Sequence, residues 1–240
     1  MPNSYDLRGK SALLTGGAGD IGRAIATLLL ESGARVRVWD VRPVQIAGVE
    51  SDLVDITDAA QIAATLARLS HEPPFDLLIN DAGYLGAAGA FADHAPDDWQ
   101  KILAVNLVGT MQVTQAVLPS MLRSGAGRIV NLGSLAGKEG LATLTAYSAA
   151  SAGVIAFTKA LSREVASHGI HVNCVAPGPI DTGMIRALGA EAVTAMVADS
   201  PMKRLGSAEE VGHLVAWLCS EASRFNTGAV FDMSGGRARY

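Results

Sequence analysis

The amino-acid sequence predicts an α/β fold, a Rossmann-like, doubly wound parallel sheet of about seven strands with helices on both faces. Short apolar runs alternate with longer segments in which apolar residues recur at helical spacing, as expected of βαβ units. No Pro-, Ser- or Gly-rich linker divides the chain, so we expect residues 1–240 to form one domain.

Seven apolar runs are candidate strands. The first, Ser11–Thr15, precedes a glycine-rich turn and a helix whose apolar stripe includes Ile25 and Leu29 and which ends at Gly33. The second strand is expected at 35–39. The remaining candidates lie near 49–54 and at 76–80, 128–132, 170–175 and 229–231, and helical spacing predicts helices near 97–123, 145–167 and 208–220.

The connection between the second and third strands is short. Asp40 and Asp55 enclose a segment that contains Pro43 and Gly48. A crossover with a full helix needs at least about 10–12 residues. We therefore expect a single helical turn or none at this point.

The composition excludes several classes of protein. Hydrophobic residues make up 49% and charged residues 18%, which fits a compact α/β domain and not a disordered chain. A net charge of −4 lacks the basic field that nucleic acid or an anionic membrane surface requires, so neither is an expected partner. No apolar run approaches the roughly 18–20 residues of a membrane span, and the first residues lack the pattern of a secretion signal.

The cysteines and histidines indicate neither disulfides nor a metal site. Cys174 and Cys219 have no ligand spacing and cannot form a disulfide framework, which favours a reducing compartment. The five histidines share no spacing typical of metal ligands. We therefore expect a cytoplasmic protein that binds no metal.

The glycine-rich turn after the first strand predicts a nucleotide site. Gly17, Gly19 and Gly22 satisfy G-x-G-x-x-G between a strand and a helix, the context that gives this motif its meaning. Glycine permits the tight turn and lets backbone N–H groups approach a pyrophosphate, while the helix N-terminus adds partial positive charge. Asp40 ends the second strand, where a carboxylate accepts both hydroxyls of an adenosine ribose and repels a 2′-phosphate. The pattern favours NAD(H) over NADP(H), although the nearby Arg42 weakens this preference.

Several further motifs, in the same order, resemble those of the short-chain dehydrogenase/reductase family over essentially the whole chain. The family's T-G-x-x-x-G-x-G motif is matched at Thr15, Gly16 and Gly22, with Asp20 in place of the middle glycine. Other matching segments are Asp55-Ile56, Asn80-Asp81-Ala82-Gly83 with Asp81 in place of an asparagine, and Pro177-Gly178-Pro179-Ile180-Asp181-Thr182. Together, turn and resemblance imply the following cofactor-binding residues: Gly16, Gly17, Gly19, Asp20, Ile21, Gly22, Asp40, Asp55, Ile56, Asn80, Ala82, Gly83, Pro177, Gly178, Ile180 and Thr182.

The resemblance also implies the catalytic residues. Ser134 and Tyr147 match the family's catalytic serine and tyrosine, and Asn106 matches a helix asparagine that holds a proton-relay water. Four residues after the tyrosine, where the family has a lysine that holds the nicotinamide ribose and lowers the tyrosine pKa, this chain has Ser151. Lys159 lies too far along the helix to replace that lysine, and Lys138 is expected to be a solvated loop residue.

Without this lysine, we expect the interconversion of a secondary alcohol and a ketone to be slow or biased toward reduction. In reduction, Tyr147 donates its proton to the developing alkoxide while Ser134 hydrogen-bonds the same oxygen. Oxidation must start from the phenolate, and about one part in a thousand of an ordinary tyrosine is ionised at pH 7. Two alternatives stay open, namely a nucleotide-binding protein that has lost turnover and a lyase or dehydratase that uses Tyr147 without net redox change.

Expectations about the substrate side come from apolar residues late in the chain, and those about the assembly come from the resemblance. The segment from 181 to 206 is rich in apolar residues, which predicts either a lid over a partly hydrophobic substrate or a helix that packs these residues itself. Tyr84, Leu141 and Met184 are the candidate substrate contacts. The resemblance implies a homotetramer, or at least a dimer, built from the helices that carry Asn106 and Tyr147.

Overall fold

The computed structural model describes residues 5–240 and contains a seven-stranded parallel sheet in the order β3-β2-β1-β4-β5-β6-β7. Residues 1–4, part of the segment in which we expect no secretion signal, lie outside the described residues. The Rossmann-like α/β prediction is confirmed. The strands are β1 Ser11–Thr15, β2 Arg35–Asp40, β3 Glu50–Leu53, β4 Leu77–Asn80, β5 Gly127–Leu132, β6 Ile170–Pro177 and β7 Val230–Met233.

Helices cover both faces of the sheet. The main ones are α1 Asp20–Glu31, α2 Ala59–Arg68, α3 Pro96–Leu103, α4 Thr110–Ser124, α5 Leu135–Glu139, α6 Thr145–Val165, α7 Gly183–Arg186, α8 Ala190–Asp199 and α9 Ala208–Cys219, with a π-helical turn at Ala104–Gly109. One core lies between the sheet and helices α1 and α9, and the other between the sheet and helices α2, α4 and α6. Every residue of β1 and β4 is buried, whereas the edge strand β3 is largely exposed, as expected for a sheet covered on both faces.

Most boundaries agree with the sequence prediction, and the differences are local. The segment between β2 and β3 contains no helix, so the short crossover is confirmed. Helix α2 was not among the predicted helical segments. Asp58 caps the N-terminus of this helix, because the Asp58 carboxylate accepts hydrogen bonds from the Ala60 and Gln61 amides. The predicted helix at 97–123 is interrupted by the π-helical turn, and the 181–206 segment holds two short helices instead of one.

One helical stretch corrects the expectation about membrane spans. Pro96–Ser124, which runs through α3, the π-helical turn and α4, is long and apolar enough to cross a bilayer, with a mean hydropathy of 1.4. It also places Val113, Val117 and Met121 in the core against β4 and β5. A core helix meets the same length and hydropathy criteria as a span, so one such helix is weak evidence for a membrane segment.

A charged cluster ties β2 to β3 and α2. Arg37 Nη1 donates to Asp52 Oδ2 at 2.9 Å, and Arg68 Nη2 donates to Asp52 Oδ1 at 2.9 Å. Burial by itself raises the pKa of Asp52, but the hydrogen bonds and charges of the two arginines outweigh it and hold that pKa below its usual value.

We expect Asp52→Asn to lower the free energy of unfolding by about 1–3 kcal/mol at pH 7, because two arginines lose a charged acceptor. A carboxylate whose folded-state pKa is depressed adds stability above its unfolded value and loses it as the pH falls through the folded value. The difference between wild type and variant in urea unfolding should therefore shrink at pH 3. Asp6→Asn, which removes an ion pair with Arg8 whose two side chains are 64% and 82% exposed, is the control and should change stability little. An undiminished difference at pH 3 contradicts the prediction.

Candidate active site

A large cleft opens at the carboxyl edge of the sheet, where the strand order reverses between β1 and β4. Its volume is about 1030 Å³, and the turns that follow β1, β2, β3, β4, β5 and β6 line it together with α6. Open parallel sheets bind ligands at this switch point, because the loops diverge there to opposite faces.

The glycine turn after β1 forms one wall of the cleft. Gly16 has φ +83°, and a Cβ at this position would lie 2.6 Å from the Ala82 backbone nitrogen. The Thr15 hydroxyl accepts hydrogen bonds from the Asp81 and Ala82 amides, both at 3.2 Å. The turns after β1 and β4 are therefore fixed to each other, with room between them only for a glycine.

Asp40 lies at the end of β2 and lines the cleft. It is 8% exposed, and its carboxylate accepts hydrogen bonds from the Ala18 and Arg42 amides, each at 2.9 Å. The Arg42 side chain is 66% exposed, and its Nε lies 3.7 Å from Asp40 Oδ1. These contacts orient the carboxylate, and each oxygen keeps a lone pair for a further donor.

The predicted cofactor-binding residues fall into two groups. Most line the cleft: Gly16, Gly19, Asp20, Ile21, Asp40, Asp55, Ile56, Ala82, Gly83, Pro177, Gly178, Ile180 and Thr182. Gly17, Gly22 and Asn80 do not line it, and their contact with a cofactor stays a prediction. A Cβ on Gly17 would meet the Val38 side chain, and one on Gly22 would meet the Gly16 carbonyl, so these glycines allow packing of the turn.

Asn80 points into the helical layer instead of the cleft. Its Nδ2 donates to Asn131 Oδ1 at 2.8 Å and to Thr114 Oγ1 at 3.1 Å, and Asn131 Nδ2 donates to Thr158 Oγ1 at 2.9 Å. This buried polar chain links β4 and β5 to α4 and α6. The two hydrogen bonds that Asn80 Nδ2 donates hold the floor of the site in place.

Ser134, Tyr147 and Ser151 come together at the far end of the cleft. Ser134 follows β5 and begins α5, where its Oγ accepts a hydrogen bond from the Ala136 amide at 3.1 Å. Tyr147 lies in the first turn of α6, and the buried Ser151 lies one turn later. Gly137 allows α5 to pack directly on α6, since a Cβ there would lie 2.5 Å from the Ser151 carbonyl carbon.

The surroundings of Tyr147 keep its phenol protonated. Burial raises its pKa above the usual value and the Asp81 carboxyl raises it further, whereas hydrogen bonding with the Ser134 and Ser151 hydroxyls lowers it by less. An elevated pKa leaves less phenolate at neutral pH than an ordinary tyrosine has. The group is therefore a proton donor at neutral pH.

The lysines considered from the sequence lie outside the cleft lining. Lys138 is on helix α5, only 12% exposed, and its Nζ lies 2.9 Å from Asp232 Oδ2, so the prediction of a solvated loop lysine is wrong. Lys159 is also absent from the lining. Among the lining residues of the described chain, Arg42 and Lys101 are the cations, and the Lys101 ammonium lies 4.9 Å from the centre of the Tyr84 ring.

Asn106 fixes the turn that follows β4. Its Oδ1 accepts from the Tyr84 amide and its Nδ2 donates to the Tyr84 carbonyl, both at 2.7 Å. The side-chain amide thus places Tyr84 at the cleft, and a role for Asn106 toward a relay water stays a prediction.

Two of the three candidate substrate contacts line the cleft, and a small neighbouring cavity adds residues that sequence reasoning missed. Tyr84 and Met184 line the cleft and are partly exposed, whereas Leu141 does not line it. The Leu141 backbone amide donates to the Ser148 hydroxyl at 3.0 Å, and a substrate role for Leu141 stays a prediction. A second cavity of about 10 Å³, the size of one water, adjoins Tyr147, and its lining includes Phe91, His94 and Thr143. Their positions along the chain carry no motif that could have identified them.

Asp20 closes the mouth of the cleft. The Gly183 amide donates to Asp20 Oδ2 at 2.6 Å, a bond between residues 163 positions apart. It joins the start of α1 to the segment that begins the 181–206 region.

The comparisons with known proteins agree with this geometry. Residues 16–238 match the family model described as Enoyl-(Acyl carrier protein) reductase. The chain is 36% identical to 2-dehydro-3-deoxy-L-rhamnonate dehydrogenase (NAD(+)) of Sphingomonas sp. (strain SKA58), covering 97% of this chain and 96% of that one. It is 39% identical to 3-oxoacyl-[acyl-carrier-protein] reductase FabG of Vibrio harveyi, covering 96% and 98% of the two chains.

Solved structures show the same likeness. Thermoplasma acidophilum aldohexose dehydrogenase, in ligand-free form, superposes with a TM-score of 0.93 at 27% identity, covering 99% of this chain and 97% of that one. The protein therefore belongs to the short-chain dehydrogenase/reductase family. Its general class is that of NAD(P)-dependent oxidoreductases.

We expect Asp20→Ala to loosen the cleft mouth in the absence of any ligand. A hydrogen bond to a charged acceptor contributes about 1.5–3 kcal/mol, and exposure here reduces that value. Hydrogen exchange of the Gly183 amide, followed by mass spectrometry or NMR, should therefore speed up by about tenfold.

Asp181→Ala is the matched control. It removes a carboxylate from the same segment, where Asp181 pairs with Arg186 at 2.9 Å, and leaves the Asp20 bond intact. If the two variants change Gly183 exchange equally, the bond to Asp20 does not hold the segment.

Proposed function

We propose that the protein is an NAD(H)-dependent oxidoreductase that interconverts a secondary alcohol and a ketone, with a bias toward carbonyl reduction. The observation that carries this proposal is the meeting of the Ser134 hydroxyl with a Tyr147 phenol whose raised pKa keeps it protonated. A protonated phenol beside a second hydroxyl is suited to donate a proton to a carbonyl oxygen that gains charge.

The cleft fits a dinucleotide. Gly16 lies so close to Ala82 that one wall of the cleft presents backbone atoms and no side chain at this point. The first residues of α1 add backbone N–H groups, which can donate hydrogen bonds to a pyrophosphate. Asp40 would accept the hydroxyls of the adenosine ribose, and its negative charge disfavours a 2′-phosphate, which supports NAD(H) over NADP(H). When bound, the nicotinamide supplies the hydride in reduction and accepts it in oxidation.

The roles of this chain's own residues follow from their chemistry. Tyr147 donates its phenolic proton to the substrate oxygen, and Ser134 donates a hydrogen bond to the same oxygen. Ser151, which stands where the family resemblance places a lysine, presents a hydroxyl and no charge to the phenol. Without a cation there the phenol stays neutral at pH 7, which suits reduction and slows oxidation.

One observation favours a second candidate, a nucleotide-binding protein without turnover. Neither Lys138 nor Lys159 lines the cleft beside Tyr147, so the proton-handling group lacks the charge that the family resemblance implies. A measured turnover with any carbonyl substrate decides between the two.

The substrate and the assembly are proposed from the cleft lining, the relatives and the exposed helix residues. Tyr84, Met184 and the small cavity beside Tyr147 favour a partly hydrophobic carbonyl compound, and the names of the relatives suggest 3-oxoacyl thioesters and dehydro-deoxy sugar acids as first candidates. Val108 and Met111 are each 43% exposed on the helical stretch that carries Asn106, which supports a homo-oligomer, either tetramer or dimer. We further propose one domain over 1–240 and a cytoplasmic location, the latter supported by the free, buried Cys174 and Cys219.

Tyr147→Phe should lower carbonyl reduction by about 10²–10⁴-fold, because it removes the proton donor and keeps the ring. Loss of NADH absorbance with a panel of ketones and 3-oxoacyl thioesters measures this. NADH binding by the variant, followed by fluorescence, is the control and should persist. Full reduction by the phenylalanine variant rules out the proposed chemistry.

The pH dependence should differ between directions. Because the Tyr147 pKa is raised, the phenolate fraction rises about tenfold per pH unit between pH 7 and 9, and alcohol oxidation should rise with it. Reduction should stay nearly flat over the same range. Ser151→Lys should raise oxidation at pH 7 by lowering the phenol pKa, and a flat oxidation profile in the wild type contradicts the assignment.

Asp40→Ala should reduce the selectivity of the protein for NADH over NADPH. We expect the wild type to bind NADH at least about tenfold more tightly than NADPH, because the carboxylate and a 2′-phosphate repel each other. The variant should lose NADH affinity and gain NADPH affinity in titrations of the two nucleotides. Equal binding of both nucleotides by the wild type contradicts the predicted selectivity.

A further inference from the structure

Asp81 is a carboxyl group in the cleft for which the proposed chemistry has no role. It is the first residue after β4, and its backbone is held in place by the bond from its amide to the Thr15 hydroxyl at 3.2 Å. Asp81 lines the cleft, and its carboxyl is near enough to the Asp40 carboxyl and the Tyr147 phenol to interact with both through its charge. Within residues 5–240, the Asp81 carboxyl has no hydrogen-bond partner, whereas Asp20, Asp40 and Asp55 all accept backbone hydrogen bonds.

The charges around Asp81 are unfavourable to its ionised form. The other carboxyls that line the cleft are Asp20 at the start of α1, Asp40 after β2 and Asp55 after β3, and the phenols are Tyr84 and Tyr147. The lining cations do not offset them, because Arg42 lies beside Asp40 and Lys101 lies over the Tyr84 ring. No histidine of the described chain lines the cleft.

Desolvation is the main effect on this carboxyl. It raises the pKa of Asp81 well above the usual value, and repulsion by the Asp40 carboxylate raises it further. A dinucleotide brings two phosphate charges into the same cleft, so its binding disfavours the ionised carboxyl still more.

We propose that Asp81 couples dinucleotide binding to the uptake of one proton. The ionised carboxylate takes a proton from solvent as the phosphate-bearing ligand enters, and the resulting neutral carboxyl is a hydrogen-bond donor inside the cleft. The inference rests on the proposed NAD(H) function but concerns binding alone. It requires no turnover.

The proposed coupling between proton uptake and binding determines how the affinity for NADH changes with pH. Below the pKa of Asp81 in the free protein the group is already protonated, and affinity does not change with pH. Between the pKa of the free protein and the higher pKa of the complex, affinity falls by up to tenfold per pH unit. Above both values it is constant again.

The test measures NADH binding without substrate. Isothermal titration of the wild type between pH 6 and 9, in two buffers of different ionisation enthalpy at each pH, reports the protons taken up. We expect uptake that approaches one proton at some pH in this range, and a Kd that rises as the pH rises. This measurement needs no variant.

Asp81→Asn is the decisive variant, since the amide has the shape of the protonated carboxyl and cannot titrate. It should bind NADH with no proton uptake and with a Kd that is nearly independent of pH. Asp181→Asn is the control, because it removes a carboxylate that lies outside the cleft lining and pairs with Arg186 at 2.9 Å. This control should keep the proton uptake.

The outcomes separate the two proposals. NADH binding by the wild type without proton uptake overturns the role of Asp81 and leaves the proposed function intact. Proton uptake that persists in Asp81→Asn assigns the proton to another group and also overturns the role. Absence of NADH and NADPH binding at every pH overturns both.

Discussion

The contact between the turns that follow β1 and β4 is the constraint on which the site depends. Gly16 and Ala82 approach so closely that no side chain fits between them, and the Thr15 hydroxyl binds two amides of the second turn. The contact joins the two halves of the sheet where the strand order reverses. It thereby sets the width of the cleft and directs Asp81 into it.

The floor of the cleft depends on a second, buried set of hydrogen bonds. Asn80, Asn131 and Thr158 connect the central strands to α6, the helix that carries Tyr147. A buried amide that loses its hydrogen-bond partner costs free energy, so these hydrogen bonds hold α6 at one register relative to the sheet. The core, and not the loop around it, therefore fixes the position of the Tyr147 phenol.

Negative charge predominates among the ionisable residues that line the cleft. Four aspartates line it, against one arginine and one lysine that already lie beside other groups. Burial is the main cause of the raised pKa values of Tyr147 and Asp81, and the negative charge of neighbouring carboxyls raises both further. These raised pKa values underlie the proposed preference for reduction and the proposed proton uptake.

Local patterns in the sequence were sufficient for the fold, because strand runs, helical spacing and the glycine turn depend on near neighbours along the chain. The strand pattern located Asp40 and the family resemblance pointed to Ser134 and Tyr147, and the structure brings all three to one cleft. Side-chain direction and distant partners were decided only by the tertiary structure. Asn80 turns to the helices, Lys138 pairs with Asp232, and Asp20 reaches Gly183 across 163 positions, because these choices depend on which elements pack together in space.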